Sequence, residues 1–260
     1  MDLLTKINEN IYRFKTPYKD IFTTVCVIKT EKGVMLFDAA SYDTDTDEYI
    51  LPALRELGIG ADEINYIFIS HDHNDHAGGL LTLLKHCTKA AVIGYGERLE
   101  GICEGRELIK PGEDDVFLDV LRVVFIPGHT KHSIAILDTR TGTLISGDGL
   151  QLYGIFGSGK WGANIGFPSE HIDAVEKLYK MDINEILPAH DYHPFGYRYV
   201  GREAVRKALD ACIAPLAEIK WLIEENPELD DEGICKLYNA DCLPTVGERV
   251  VSAIRKELEE

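Results

Sequence analysis

No Cys-x-x-Cys pair occurs in the sequence, no apolar run approaches the ~20 residues of a membrane span, and no Gly-x-Ser-x-Gly elbow is present. The six cysteines therefore indicate neither a disulfide framework nor a thiolate zinc site, and buried reduced thiols are expected. Asp2, Lys6 and Glu9 interrupt the N-terminus where a secretory signal needs apolar residues, so a cytoplasmic location is expected. Positive charge is scarce too. The balance of 27 Lys+Arg against 44 Asp+Glu leaves −17, which repels a nucleic-acid backbone or an anionic membrane. Neither is expected as a partner, and a small molecule is.

What is present is a globular composition: 45% apolar and 27% charged residues over a length that suits one large domain or two small ones. Strand-like runs at Ile11–Phe14, Thr24–Lys29 and Val34–Phe37 are followed by a helical stretch, Asp47 to Leu57, with Pro52 near its start. Ile64–Ser70 reads as a buried strand, and a Leu-rich helix over Gly79–His86 follows it. Further strands are predicted at Ala91–Gly94, Val120–Ile126, Ser133–Asp138, Thr143–Ser146 and Ile183–Pro188. A helix capped by Ser169 and running through Met181 precedes the last of these. From Gly201 the pattern is helical, with Val205, Leu209, Cys212, Leu216 and Ile223 on one stripe and a capping box from Thr245 to Glu248 before the last helix.

This order predicts a layered α/β protein, residues 1–200 forming one domain and 201–260 a helical C-terminal extension. The stretches 64–72 (INYIFISHD) and 183–191 (INEILPAHD) align without a gap, placing His71 over His190. Two similar β-α halves, each bringing a His from a strand end to one site, would account for the echo.

The strongest chemical signal is His71-Asp72-His73-Asn74-Asp75-His76, directly after the buried strand. Three imidazoles and two carboxylates in so short a loop need partners for their polar atoms. Imidazole and carboxylate together suit Zn²⁺, Fe or Mn; Ca²⁺ and Mg²⁺ would take oxygen throughout.

The motif resembles the HxHxDH hallmark of the metallo-β-lactamase superfamily. The family's other motifs follow in order: Pro-Gly-His-Thr at 127–130, Ser-Gly-Asp-Gly at 146–149 and Pro-Ala-His at 188–190. The resemblance covers roughly residues 5–195 and implies an αββα sandwich with a two-metal site. It implies that His71, His73 and His129 hold one metal, that Asp75, His76 and His190 hold the other, and that Asp148 bridges both. Of these ligands Asp75 and Asp148 are read as the catalytic carboxylates. Asp38, in Leu-Phe-Asp-Ala, matches the acidic residue the family places behind the metal loop.

Two divalent ions, Zn²⁺ before Fe or Mn, would share a water and make it nucleophilic near neutral pH, so no seryl or cysteinyl nucleophile is needed. Within the family, Asp148 points away from true β-lactamases, and His73 away from flavodiiron proteins, which carry Glu there. The full set resembles glyoxalase II and the quorum-lactone lactonases. The expected function is hydrolysis of a small ester, thioester or lactone. An iron-loaded oxidoreductase binding oxygen or nitric oxide, or a small phosphodiesterase, are the alternatives.

The Gly- and aromatic-rich loop Gly149–Phe167 is expected to wall the substrate with Trp161 and Lys160, and Tyr153 matches a lactonase tyrosine. His193 is a candidate pocket residue and His132 a candidate support of the metal site, while His86 and His171 read as helix-surface bystanders. The tail is expected to cover the sandwich edge, wall the pocket or make a homodimer interface, which the sequence does not rank.

Overall fold

The computed structural model describes residues 4–152, 163–192, 196–239 and 246–259. Seven strands form the first sheet in sequence order: β1 (Thr5–Lys6), β2 (Ile11–Tyr18), β3 (Ile21–Thr30), β4 (Gly33–Phe37), β5 (Ile64–Phe68), β6 (Ala91–Ile93) and β7 (Leu108–Ile109). The first four pair antiparallel through tight turns; β4 to β7 pair parallel through helical crossovers. The second sheet has the order β13 (Tyr199–Val200), β12 (Glu185–Pro188), β11 (Thr143–Gly147), β10 (Ile134–Asp138), β9 (Leu121–Phe125) and β8 (Val116–Phe117).

The chain divides into two compact units, residues 1–124 with 136–140, and residues 125–135 with 141–260. In the first, Val25, Val27, Leu36, Ile67 and Ile69 pack with Leu54, Leu80, Leu83 and Leu84 in one apolar core. Burying each such side chain contributes about 1.5–3 kcal/mol. In the second, the helices Arg202–Glu225, Asp231–Asn239 and Glu248–Glu259 close a core around Leu216, Ile219, Ile223, Ile234 and Ile254. The stripe read from the sequence, Val205 to Ile223, is buried at every named position, whereas Leu258 is exposed at its helix end. No helix among the described residues is long and apolar enough to cross a membrane.

Several local expectations are corrected. The first hairpin is longer at both strands, because Tyr18 pairs with Ile21 and the turn is only Lys19-Asp20, with Lys19 at φ 51°. Pro17 is tolerated there because β1 pairs with Tyr12 and Arg13, and among the described residues no strand beyond them asks for a proline N–H. The helix expected over 47–57 is a π-helical turn, Thr46–Ile50, running into an α-helix, Leu51–Glu56. Pro52 lacks the N–H that regular winding would use. The helix expected to open with a Ser169 cap starts two residues earlier, with Phe167 as its cap and Pro168 in its first turn, and ends at Leu178, before Met181. Thr245 lies outside the described residues. Cys26, Cys87, Cys103, Cys212 and Cys235 are buried thiols, as expected.

Candidate metal centre

Each half of the constellation is built at the ends of two adjacent parallel strands. In the first unit, β4 and β5 run in register to Phe37↔Phe68, so Asp38 emerges beside Ile69 and Ser70. The Asp38 backbone N–H donates to Phe68 O at 2.7 Å, continuing the ladder. The chain bends at Asp72 and His73 after His71, and the short helix Asn74–Ala77, which follows the extended His73, places Asp75 and His76 in its single turn. The ring of His71 lies 4.5 Å from that of His73 and 4.2 Å from that of His76. All of these except half-buried His73 are buried.

Asp38 organises this half. Its Oδ2 accepts from His76 Nδ1 at 2.7 Å and from Ser70 Oγ at 3.0 Å, and its Oδ1 accepts from Ser70 N at 2.8 Å. Since the Ser70 hydroxyl is donated to Asp38, the 3.1 Å contact with His71 Nδ1 has the imidazole as donor. Both histidines therefore carry their proton on Nδ1, which leaves the buried Nε2 as the unprotonated nitrogen, the form of imidazole that a metal takes. Burial pushes the Asp38 carboxyl upward, opposed by His76 and Ser70, whose contacts favour the carboxylate. Asp38 sits at φ 64° and Ala40 at φ 61°, the left-handed region, so the segment behind the metal loop is strained. It is held by Ala39 N donating to His76 O and Gly78 N donating to Ala40 O.

The second unit repeats the device. Gly147 of β11 pairs with Pro188 of β12, so Asp148 and His190 leave neighbouring strands together. His190 Nε2 lies 3.1 Å from Asp148 Oδ1, and His129 Nε2 lies 3.8 Å from Asp148 Oδ2. His129 donates Nδ1–H to the Asn164 carbonyl at 2.7 Å, which again presents Nε2. All three donors are buried.

Two histidines change status. His171 is fully buried rather than on a helix surface, and its ring fills the space beside Gly128, where a Cβ would come within 2.5 Å of it. Burial lowers its pKa to about 4, with the His129 charge adding to the fall and the Cys212 backbone opposing it. His132, expected behind the metal site, is exposed because Lys131-His132 forms the outer turn before β10. His86 is a surface residue as expected, 3.8 Å from Asp47. Tyr153, Lys160, Trp161 and His193 lie outside the described residues. Ser70, Asn164 and Gln151 were not legible as site residues, because single polar residues acquire such roles only through tertiary packing.

A family profile described as the metallo-beta-lactamase superfamily matches residues 19–198. The chain belongs to that superfamily. Its two mixed sheets and their helices are those of the αββα sandwich, with a helical C-terminal extension beyond the matched region. Among curated relatives, hydroxyacylglutathione hydrolase from Synechococcus sp. (strain JA-2-3B'a(2-13)) is 33% identical over 158 residues, 59% of either chain. The protein of that name from Nostoc sp. (strain PCC 7120 / SAG 25.82 / UTEX 2576) is 32% identical over 149 residues, 54% of this chain and 56% of its own. The chain thus spans under three-fifths of these relatives' length. A metallo-beta-lactamase family protein from Thermus thermophilus superposes with a TM-score of 0.67 at 16% identity, covering 98% of this chain and 93% of that one. A flavo di-iron protein from Thermotoga maritima gives 0.65 at 19% identity, covering 83% and 61%. Both likenesses concern the superfamily fold alone.

Proposed function

We propose that the chain is a two-metal hydrolase of small-molecule esters, thioesters or lactones; as the superfamily's motifs imply, His71, His73 and His129 would hold one ion, Asp75, His76 and His190 the other, and Asp148 would serve both. The observation that carries the reading is the orientation of the histidines. Asp38, Ser70 and Asn164 engage the Nδ1 of His76, His71 and His129, leaving each Nε2 to a ligand role. The donor set fits Zn²⁺, Fe or Mn, with zinc first for a nitrogen-rich site without thiolate.

Two such ions, when bound, supply a water acidified toward neutral pH and positive charge for a developing oxyanion. The chain's own part is to fix the ligands. Asp38 favours the Nδ1–H tautomer at His76 and, through Ser70, at His71. Asp148 offers one carboxylate oxygen toward His190 and the other toward His129, as a bridging carboxylate would.

The relatives' name, hydroxyacylglutathione hydrolase, supports putting thioesters first in the substrate class. Residues 201–260 carry eight Lys+Arg against fourteen Asp+Glu, a poor surface for an anionic thiol such as glutathione, so an uncharged or cationic leaving group is favoured. Buried thiols suit a reducing compartment, which supports a cytoplasmic enzyme.

A panel of acyl thioesters, lactones and p-nitrophenyl phosphates tests this, run on zinc-loaded and iron-loaded protein. Thioester or lactone turnover lost in His71→Ala and Asp148→Ala is expected. Turnover of phosphates alone, or an oxygen-reactive iron protein without hydrolysis, would replace the reading.

A further inference from the structure

In the second unit one side chain connects all three donors, and it is not one of them. Gln151 is fully buried, three residues beyond Asp148. Its Nε2 donates to the Asp148 carbonyl at 3.0 Å and to Tyr192 Oη at 3.3 Å, while its Oε1 accepts from Asn164 N at 2.8 Å. Both donors and the acceptor of the amide are thereby used. Flipping it would set N–H against N–H at Asn164 and oxygen against oxygen at Asp148, so the network fixes its orientation.

Each contact leads to a metal-ligating residue. Asn164 accepts from His129 Nδ1 at 2.7 Å. Tyr192 stands edge-on to the His190 ring, centroids 6.4 Å apart at 70°. Asp148 is held by its own carbonyl. We infer that Gln151 is the positioning residue of this half-site, one buried amide setting the angles of Asp148, His129 and His190 together. The inference rests on the two-metal reading above.

Residues at one remove from a metal typically change its affinity about 10–100-fold when altered. The probe is Co²⁺ added to chelator-stripped full-length protein, read by its visible ligand-field bands. Wild type is expected to take about two equivalents, two being the number a paired site holds. Gln151→Met keeps the volume and removes every hydrogen bond. It should weaken at least one equivalent about 10-fold or more and shift the bands. Gln151→Glu keeps the acceptor for Asn164 but opposes a carboxylate to the Asp148 carbonyl, and it should shift the bands likewise.

Thr143→Val is the structural control, since Thr143 is buried and bonds Glu185 and Thr141 but none of the metal-ligating residues. It should leave Co²⁺ affinity and bands unchanged. Two tight equivalents with wild-type bands in folded Gln151→Met would overturn the inference. Should that variant not fold, Gln151→Glu reads the same comparison. Should neither fold, Tyr192→Phe does, with unshifted bands overturning it. Wild type failing to bind two equivalents would instead refute the two-metal reading itself.

Discussion

Asp38 accepts three hydrogen bonds while holding a backbone angle that a non-glycine residue adopts at a cost of about 1–2 kcal/mol. That cost is offset where the residue sets the tautomer of two histidines at once. Asp38→Ala should keep the fold and lower metal affinity about 10–100-fold, as isothermal titration with Zn²⁺ would measure. Unchanged affinity would remove Asp38 from the account. His171 gives a pH prediction. Its folded pKa is about 4 against 6.5 unfolded, so between those values the unfolded chain binds more protons and stability falls as pH falls. The loss should be about 2 kcal/mol between pH 7 and about pH 5 in metal-stripped protein. Urea unfolding of His171→Leu should show a flatter acid limb than wild type; identical limbs would contradict the assignment. At this scale the sequence displayed the candidate donors, because their order and spacing form motifs. It did not display Ser70, Gln151, Asn164 or the burial of His171. Those depend on which loop covers which face, and a serine or histidine on a helix carries no mark of that.

Between residues and molecule, the recurring element is a pair of parallel strands ending in an acid and a histidine. β4 delivers Asp38 beside the β5 loop that carries His71, and β11 delivers Asp148 beside His190 after β12. The aligned stretches 64–72 and 183–191 thus occupy equivalent places in their sheets, which is how an internal echo in the sequence becomes two half-sites. The clamp behind the first loop admits a steric test. A Cβ on Gly78 would stand 1.8 Å from Ser41 O and 2.4 Å from Asn74 O, both backbone atoms. Its φ of −64° suits any residue, so the cost is purely one of space. Gly78→Ala should destabilise by about 3 kcal/mol, measured by denaturant unfolding, the upper end for overpacking. Gly58→Ala, at φ 68° with nothing near, should lose only about 1–2 kcal/mol. Strand cores were readable here because β-rich runs announce themselves. The Lys19-Asp20 turn and the π-helical turn before Pro52 were not, since neither carries the Gly or Asn pattern from which a turn is read.

For the whole molecule, the proposed two-metal function would tie both stability and activity to bound metal. An ion that binds only the folded chain stabilises it by about 2.7 kcal/mol at a hundred times its Kd. Removal by a chelator should therefore lower Tm, and added Zn²⁺ should restore it; a Tm indifferent to both would count against folded-state binding. The net charge of −17 mainly describes the solvated surface, since Asp75 and Asp148, the two carboxylates of the proposed ligand set, are a small part of the 44 acids. The measurement that bears most directly on the central claim is hydrolysis of an acyl thioester by metal-free protein titrated with Zn²⁺. Activity rising from zero to a plateau at about two equivalents, and absent at every ratio in Asp148→Ala, is the expected result. Full turnover by the metal-free protein would contradict it.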